Sequence, residues 1–185
     1  SGASFTQYED FGGARFDGDA TFSRASFIAL PRTRYEMDFP QGANFGNATF
    51  EQDADFSKAT FTAHVGFYKA TFAREVSFNG ASFEGAYFAD ATFGQRADFR
   101  QTSFAYVEPS FEALERRLRR ARFSAQADPQ DYLFEARPES PHGFSCGTAE
   151  LLNRTFVLPI GAVLYDPDSW DEEQQEYTRV SEPAQ

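Results

Sequence analysis

The sequence is poor in sulfur and has no long apolar run. Its 185 residues include one Cys and one Met, which excludes an intramolecular disulfide and the usual multi-cysteine zinc frameworks and leaves the redox compartment open. No apolar stretch approaches the roughly 20 residues of a membrane-spanning helix, so we expect no membrane partner. The N-terminus lacks a basic-then-apolar leader and begins within a repeat, at SGASF. We therefore expect a truncated or processed N-terminus, which leaves a secretory leader open, and a cytoplasmic location.

Residues for catalysis are equally scarce. The chain has two His, and one of them, His142, stands four residues before Cys146 in HGFSC. A Cys and a His can serve as nucleophile and base, but no family motif surrounds this pair, which favours a structural or incidental role. No phosphate-binding glycine loop, HExxH or two-histidine metal motif is present. We predict no catalytic residues, no cofactor and no metal site, and keep an enzyme that uses the C-terminal region as a remote alternative.

The negative charge is unevenly distributed. The net charge is −11, with 13 acids against 9 bases in residues 1–104, 3 against 5 in 105–127, and 12 against 3 in 128–185. A surface that binds duplex nucleic acid needs clustered Lys and Arg. We therefore predict no direct nucleic-acid binding.

Phenylalanine is abundant and regularly spaced. Of 23 Phe, 18 precede residue 105, and from Ala43 to Phe104 most follow a small residue in the pattern Ala-x-Phe. Two inward side chains around one outward polar side chain describe a short extended segment. Such segments bury little alone but much when stacked in coils, so this short period indicates a solenoid.

The spacings of five and six residues repeat about every 22 residues and predict four columns of Phe. Three columns are predicted to begin at Phe5, Phe16 and Phe22 and to pass through Phe50, Phe39 and Phe45. The fourth begins at Phe11 and is broken at Thr33. The sixth residue of every second side is expected to bulge outward.

These repeats resemble the pentapeptide-repeat family over about residues 3–104, with Phe in place of the more frequent central Leu. The resemblance implies an all-β solenoid, a right-handed quadrilateral β-helix with about five residues per side. In this chain we assign it to residues 1–108.

Residues 28–38, IALPRTRYEMD, interrupt the ladder. Pro31 removes a backbone donor, so the segment is predicted to protrude as a loop. A tolerated insertion without a role is the favoured interpretation, since insertions in solenoids usually map to loops. A partner-binding loop is the alternative, with the candidate residues Arg32, Arg34, Tyr35 and Glu36.

A capping α-helix is predicted over residues 109–128. Ser110 is a suitable N-cap, and the apolar residues Phe111, Leu114, Leu118, Ala121 and Ala125 form one stripe. A helix here would cover the open end of the solenoid. Its basic face is interpreted as a solvated, self-paired surface or, alternatively, as a site for an acidic partner, with Arg116, Arg117, Arg119, Arg120 and Arg122 as candidates.

Residues 129–185 are predicted to be a docked, mostly irregular acidic extension. One strand-like segment, 156–165, must dock because an isolated strand is unstable. The acidic run after Asp166 is expected to lie against the basic residues of 109–128.

The function that fits these features is a non-enzymatic protein-interaction or scaffold module. The family resemblance implies a more specific alternative, because some pentapeptide-repeat proteins mimic duplex DNA, bind bacterial DNA gyrase and protect it from inhibitors. The weak charge of the repeat region counts against this. We expect a protein partner, with DNA gyrase as one candidate, and a homodimer through the C-terminal region as a further prediction.

Overall fold

The computed structural model describes residues 2–6, 8–28, 41–113 and 119–185. Within them the Phe rings form four parallel stacks around one axis. Stack A contains Phe5, Phe27, Phe61, Phe83 and Phe104. Stack B contains Phe11, Phe45, Phe67, Phe88 and Phe111. Stack C contains Phe16, Phe50, Phe72, Phe93 and Phe123. Stack D contains Phe22, Phe56, Phe78, Phe99 and Phe134.

Short strands carry these rings. The strands of the repeat region are β1 (Ser4–Phe5), β2 (Glu9–Asp10), β3 (Arg15–Phe16), β4 (Ala20–Thr21), β5 (Ser26–Phe27), β6 (Gln41–Asn44), β7 (Thr49–Phe50), β8 (Ala54–Asp55), β9 (Thr60–Gly66), β10 (Thr71–Phe72), β11 (Val76–Ser77), β12 (Ser82–Tyr87), β13 (Thr92–Phe93), β14 (Ala97–Asp98) and β15 (Ser103–Phe104). They are followed by β16 (Glu112–Ala113), β17 (Arg119–Arg120), β18 (Arg122–Ser124), β19 (Tyr132–Leu133), β20 (Cys146–Leu151), β21 (Arg154–Pro159), β22 (Val163–Tyr165), β23 (Trp170–Asp171) and β24 (Glu176–Tyr177). Two 3₁₀ helices cover Pro129–Asp131 and Pro167–Ser169.

All pairings between successive coils are parallel, which makes the molecule a β-helix. One sheet orders β1-β5-β9-β12-β15 with β2 and β6 attached, and it spans stacks A and B. The sheet behind stack C orders β3-β7-β10-β13-β18-β22, and the sheet behind stack D orders β4-β8-β11-β14-β19. The all-β solenoid expected from the repeats is therefore confirmed.

The strand spacing explains the ring geometry. Rings within a stack lie 4.6 to 5.4 Å apart, close to the spacing of neighbouring strands in a sheet. Rings of stacks B and D also meet across the axis in edge-to-face contacts, as between Phe67 and Phe78 at 5.3 Å. Most rings from Phe27 to Phe123 are fully buried, and small inward residues such as Ala48 and Ala70 allow the coils to close around them.

The five-residue corners share one backbone conformation. In every described corner that leaves stack B or D before Phe104, the second residue after Phe has a positive φ: Gly13, Arg24, Asn47, Lys58, Lys69, Gly80, Asp90 and Gln101. The amide of the next residue generally bonds back to the Phe carbonyl, as from Ala59 to Phe56 at 3.1 Å. These corners are turns with a left-handed third residue, where glycine is the least strained choice.

This strain predicts a stabilising substitution. Replacing Lys58, whose φ is 57°, with Gly should raise the free energy of unfolding by about 0.5–1 kcal/mol, because the left-handed conformation costs glycine less. Gln52 likewise stands two residues after a Phe but has no positive φ. Gln52→Gly should therefore lower stability by a similar amount, because glycine only adds conformational entropy to the unfolded chain. Urea denaturation of both variants tests the prediction, and destabilisation by Lys58→Gly would contradict it.

The predicted alignment of the columns was wrong across residues 28–40. Phe27 stacks on Phe61, and Phe16 on Phe50, so equivalent rings here are 34 residues apart. Elsewhere in the repeat they are 21 or 22 apart, as from Phe50 to Phe72. The coil therefore contains about 12 additional residues between stacks A and B. Thr33 and Phe39, which the prediction placed in two of the columns, lie outside the described part of the chain.

The capping α-helix over 109–128 was also wrong for the residues that the structure describes. β16 and β17 form an antiparallel pair, Glu112 opposite Arg120, and β18 adds in parallel to β13. The motif Ala121-Arg122-Phe123 is another Ala-x-Phe unit, and its buried ring extends stack C by 4.6 Å. Ring stacking outweighs the helical spacing of the apolar residues, since tertiary packing routinely overrides helix propensity.

Strands and turns also organise much of residues 129–185. β20 and β21 form a hairpin, and β22 pairs with β18. Phe156, Leu158 and Leu164 are buried in the same core as the repeat rings, while Phe144 packs edge-on against Phe104 at 5.3 Å. These residues cover the end of the solenoid. Among the described residues no helix has the length and apolar character to span a membrane.

Candidate functional site

The candidate site lies at the corner between stacks B and C, where two left-handed turns are followed in the next coil by an inserted strand pair. Lys69 and Asp90 occupy equivalent turn positions in successive coils, with φ of 56° and 62°. In the next coil the chain leaves after Phe111 as β16 and returns through β17 to Ala121, whose amide bonds to the Phe111 carbonyl at 2.7 Å. The hydrogen bond that closes the other turns of this corner is therefore present here too. The β16–β17 pair is inserted between Phe111 and Ala121, in the coil that follows Asp90.

The result is a cleft of about 610 Å³, here called the basic cleft. One wall carries Lys69, Asp90, Arg119, Arg120 and Arg122, and the other carries Val163, Glu176, Val180, Ser181, Glu182 and Pro183. The second wall is fixed to the solenoid, since Ser181 exchanges hydrogen bonds with Leu164 at 2.9 Å in each direction.

Two of the arginines of the cleft share one carboxylate. Arg122 donates to Asp90 at 2.5 Å, and Arg119 lies 4.0 Å from the same carboxyl group. Arg119 also packs over the ring of Tyr68, 5.2 Å from its centroid, and Lys69 lies 5.6 Å from that centroid. Asp90 and Tyr68 thus position the cationic groups.

Arg120 differs from its neighbours. Its Nε is buried and has no hydrogen-bond partner, and within the described residues no carboxylate lies within 4.0 Å of its guanidinium or of the Lys69 ammonium group. Glu176 and Glu182 line the cleft without pairing to either. A buried donor without a partner is costly, so an anion that entered the cleft would find two uncompensated cations.

The structure locates only some of the candidates from the sequence. Arg119, Arg120 and Arg122 meet in the basic cleft, although on strands rather than on a helix. Arg116 and Arg117, and the loop candidates Arg32, Arg34, Tyr35 and Glu36, lie outside the described residues. Sequence reasoning did not single out Asp90 or Tyr68, whose only signal is their position just after Phe in a corner of the repeat.

His142 and Cys146 form no catalytic arrangement. No hydrogen bond joins them, and partial burial raises the pKa of the Cys146 thiol, which favours the unreactive protonated form. His142 instead pairs through its backbone with Phe104. Within the described residues no cluster of His, Cys, Asp or Glu could hold a metal ion.

A second charged feature, here called the acidic stripe, runs along the corner before stack D. Asp19, Asp53 and Glu75 each stand three residues before a Phe of that stack. Stacked coils place such equivalent residues about 4.8 Å apart. The next equivalent residue is Arg96, which lies 3.7 Å from Asp98, so the stripe loses its negative charge toward the C-terminal coils.

Asp98, beside the acidic stripe, is a structural carboxylate. Burial alone would raise the pKa of Asp98. Arg100 nevertheless lowers this pKa below its ordinary value through its hydrogen bonds and its charge. The closer guanidinium contact is 2.7 Å long. The ionised form is therefore the one that stabilises the fold.

This gives a pH-dependent prediction. At pH 7, Asp98→Asn should cost about 1–3 kcal/mol of stability because it removes charge-assisted hydrogen bonds. Since the folded-state pKa is depressed, this contribution is present above the unfolded-state pKa of about 4 and is lost as pH falls through the folded value. Urea denaturation of both proteins between pH 7 and 2.5 should show the difference shrinking in acid; a constant difference would contradict the assignment.

Comparison with known proteins agrees with the fold. The family model described as pentapeptide repeats, with nine copies, matches residues 36–71 and 58–103. No curated protein and no solved structure matches the chain.

Proposed function

Since the chain is a pentapeptide-repeat protein over residues 36–103, we propose that it is a non-enzymatic interaction module whose solenoid presents the basic cleft to an acidic segment of a protein partner. The observation that supports this is the presence of Lys69 and Arg120 in one cleft, where neither has a carboxylate partner among the described residues. Arg119 and Arg122 add positive charge and are held in place by Asp90. Complementary charge of this kind speeds association and selects partners.

The test is a binding titration. A fluorescein-labelled 12-residue peptide rich in Glu is titrated with the protein and followed by anisotropy, beside a Gln-rich peptide of equal length. Lys69→Gln/Arg120→Gln should weaken binding of the Glu-rich peptide roughly tenfold, because each lost ion pair contributes about 0.5–1 kcal/mol. Raising the salt concentration should weaken binding further.

The matched control is Lys58→Gln/Arg74→Gln, which removes two cations away from the cleft. Arg74 is exposed and Lys58 lies in a different corner, so this variant should bind within twofold of the unaltered protein. Equal losses in both double variants, or equal affinity for the Gln-rich peptide, would overturn the proposal.

The acidic stripe supports a second candidate function, a DNA-mimicking protein that binds DNA gyrase. Asp19, Asp53 and Glu75 repeat once per coil, as a mimic of a phosphate backbone requires. Arg15, which pairs with both Asp17 and Glu51, and Arg96 reduce this charge. Gyrase supercoiling assays with and without a quinolone test the candidate; absence of both inhibition and protection would remove it.

A homodimer through the C-terminal region is a further part of the proposal. Val157 and Ile160 are 56% and 51% exposed, and among the described residues β21 pairs only with β20. An exposed apolar edge strand is a common pairing surface. Light scattering after size-exclusion chromatography should give twice the monomer mass, and a monomer mass at all concentrations would contradict it.

A further inference from the structure

The β23–β24 hairpin carries a second exposed surface. The hairpin exposes Trp170, whose side chain is 42% accessible. The Trp170 ring meets Tyr177 edge-on at 5.0 Å, and Tyr177 lies 4.4 Å from the buried Tyr165. The three rings form a continuous aromatic group from the exposed Trp170 to the buried Tyr165. A large exposed aromatic side chain on such a rigid base is typical of an interaction surface.

Carboxylates flank Trp170 and Tyr177 along the chain. Asp168, Asp171, Glu172, Glu173 and Glu176 lie within the segment 166–178, which contains no Lys or Arg. Arg179, the base closest in sequence, pairs with Asp166 at 3.1 Å, and Arg122, whose charge acts on Tyr177, pairs with Asp90. Among the described residues none of these five carboxylates forms an ion pair, so the segment around Trp170 keeps its negative charge.

The loop of the hairpin is preorganised. Asp171 accepts hydrogen bonds from the amides of Glu173 and Gln174 at 2.9 and 3.0 Å. At the base of the hairpin, the carbonyl oxygen of the buried Ser169 accepts a hydrogen bond from the amide of Thr178 at 2.9 Å. Little backbone conformational entropy would be lost on binding, since the carboxylates are carried by an ordered turn.

We propose that this hairpin binds a Lys- or Arg-rich segment of a protein, with one cationic side chain over the Trp170 ring and others paired to Glu172 and Glu173. Cations are attracted to aromatic faces, to Trp most strongly, and carboxylates at the rim supply complementary charge. An acidic partner would be repelled here, and an uncharged apolar partner would have to desolvate the carboxylates. This surface adjoins the basic cleft, whose wall includes Glu176, but it takes the opposite class of partner.

Because Trp170 is the single tryptophan of the chain, its fluorescence reports directly on the site. Titration with a 12-residue Lys-rich peptide should change the intensity or the emission maximum saturably, and increasing salt should weaken the effect. A Gln-rich peptide should produce no saturable change.

Anisotropy of the labelled Lys-rich peptide tests variants that lack the tryptophan. Trp170→Ala should weaken binding roughly fivefold, and Trp170→Phe should weaken it less. Glu172→Gln/Glu173→Gln should weaken it roughly fivefold, while Glu139→Gln, at an exposed carboxylate elsewhere, should leave the affinity unchanged. Binding that is insensitive to Trp170→Ala would place the peptide on another acidic surface and overturn the proposal, as would failure of the peptide to bind.

Discussion

Replacing Phe67 with Ala should lower the free energy of unfolding by about 4–5 kcal/mol. Phe67 is fully buried and stacks between Phe45 and Phe88 at 5.1 Å from each. It also contacts Phe56 and Phe78 across the axis at 5.4 and 5.3 Å. Its removal leaves a cavity that rigid coils cannot collapse to fill, which places the cost in the upper range for buried Phe. Since a domain is stable by only about 5–15 kcal/mol, the variant should be close to unfolding at 37 °C.

Phe61→Ala is the matched control. Phe61 is as buried as Phe67 and stacks on Phe27 and Phe83, but it belongs to stack A, whose rings do not meet stack C across the axis in the described coils. We expect a smaller loss of about 3 kcal/mol. Guanidinium denaturation of both variants measures the difference, and equal losses would show that cross-axis contacts contribute nothing.

Replacing Gly94 with Ala should cost about 2–3 kcal/mol, a large effect for one methyl group. A Cβ at Gly94 would lie 2.5 Å from the carbonyl oxygen of Ala73 and 3.2 Å from that of Phe72. The amide of Gly94 also bonds to the Phe72 carbonyl at 2.8 Å. Both clashes involve backbone of the neighbouring coil, so relief requires the coils to separate and this hydrogen bond to lengthen, a form of overpacking.

Gly18→Ala provides the comparison for Gly94. Gly18 lies in the equivalent corner of the first coil and has no positive φ, and a Cβ at this position would meet no neighbouring atom within 4 Å. Its replacement should change stability by less than about 0.5 kcal/mol. Thermal or urea unfolding of both variants tests the pair, and a neutral Gly94→Ala would mean that the coils are less closely packed than described.

The sequence was sufficient to predict the solenoid because one residue type marks every side of the coil. From Phe45 to Phe104 the predicted columns match the observed stacks, since the sequence period and the coil length coincide there. The alignment failed across residues 28–40 because the sequence position of Phe39 fits the ladder spacing, whereas the observed stacks pass from Phe16 to Phe50 and from Phe27 to Phe61. Sequence spacing alone does not reveal that one coil carries about 12 additional residues.

The helix prediction failed for a related reason. Phe111, Ala121 and Ala125 satisfy a helical spacing, but Phe111 and Phe123 also satisfy the requirements of stacks B and C. Choosing between them requires knowing that the previous coil presents open rings at Phe88 and Phe93. The basic cleft depends on this choice, because the strand pair β16–β17 directs Arg119 and Arg120 toward the corner that carries Asp90.

The most direct test of the proposed function is hydrogen exchange with and without the Glu-rich peptide. We expect slower amide exchange in the fragments of the protein that cover Arg119 to Arg122 and the corner at Tyr68 and Lys69, with no change along the acidic stripe at Asp53 and Glu75. Protection confined to other surfaces, or no protection at peptide concentrations that saturate the anisotropy signal, would contradict the claim that the basic cleft is the recognition site.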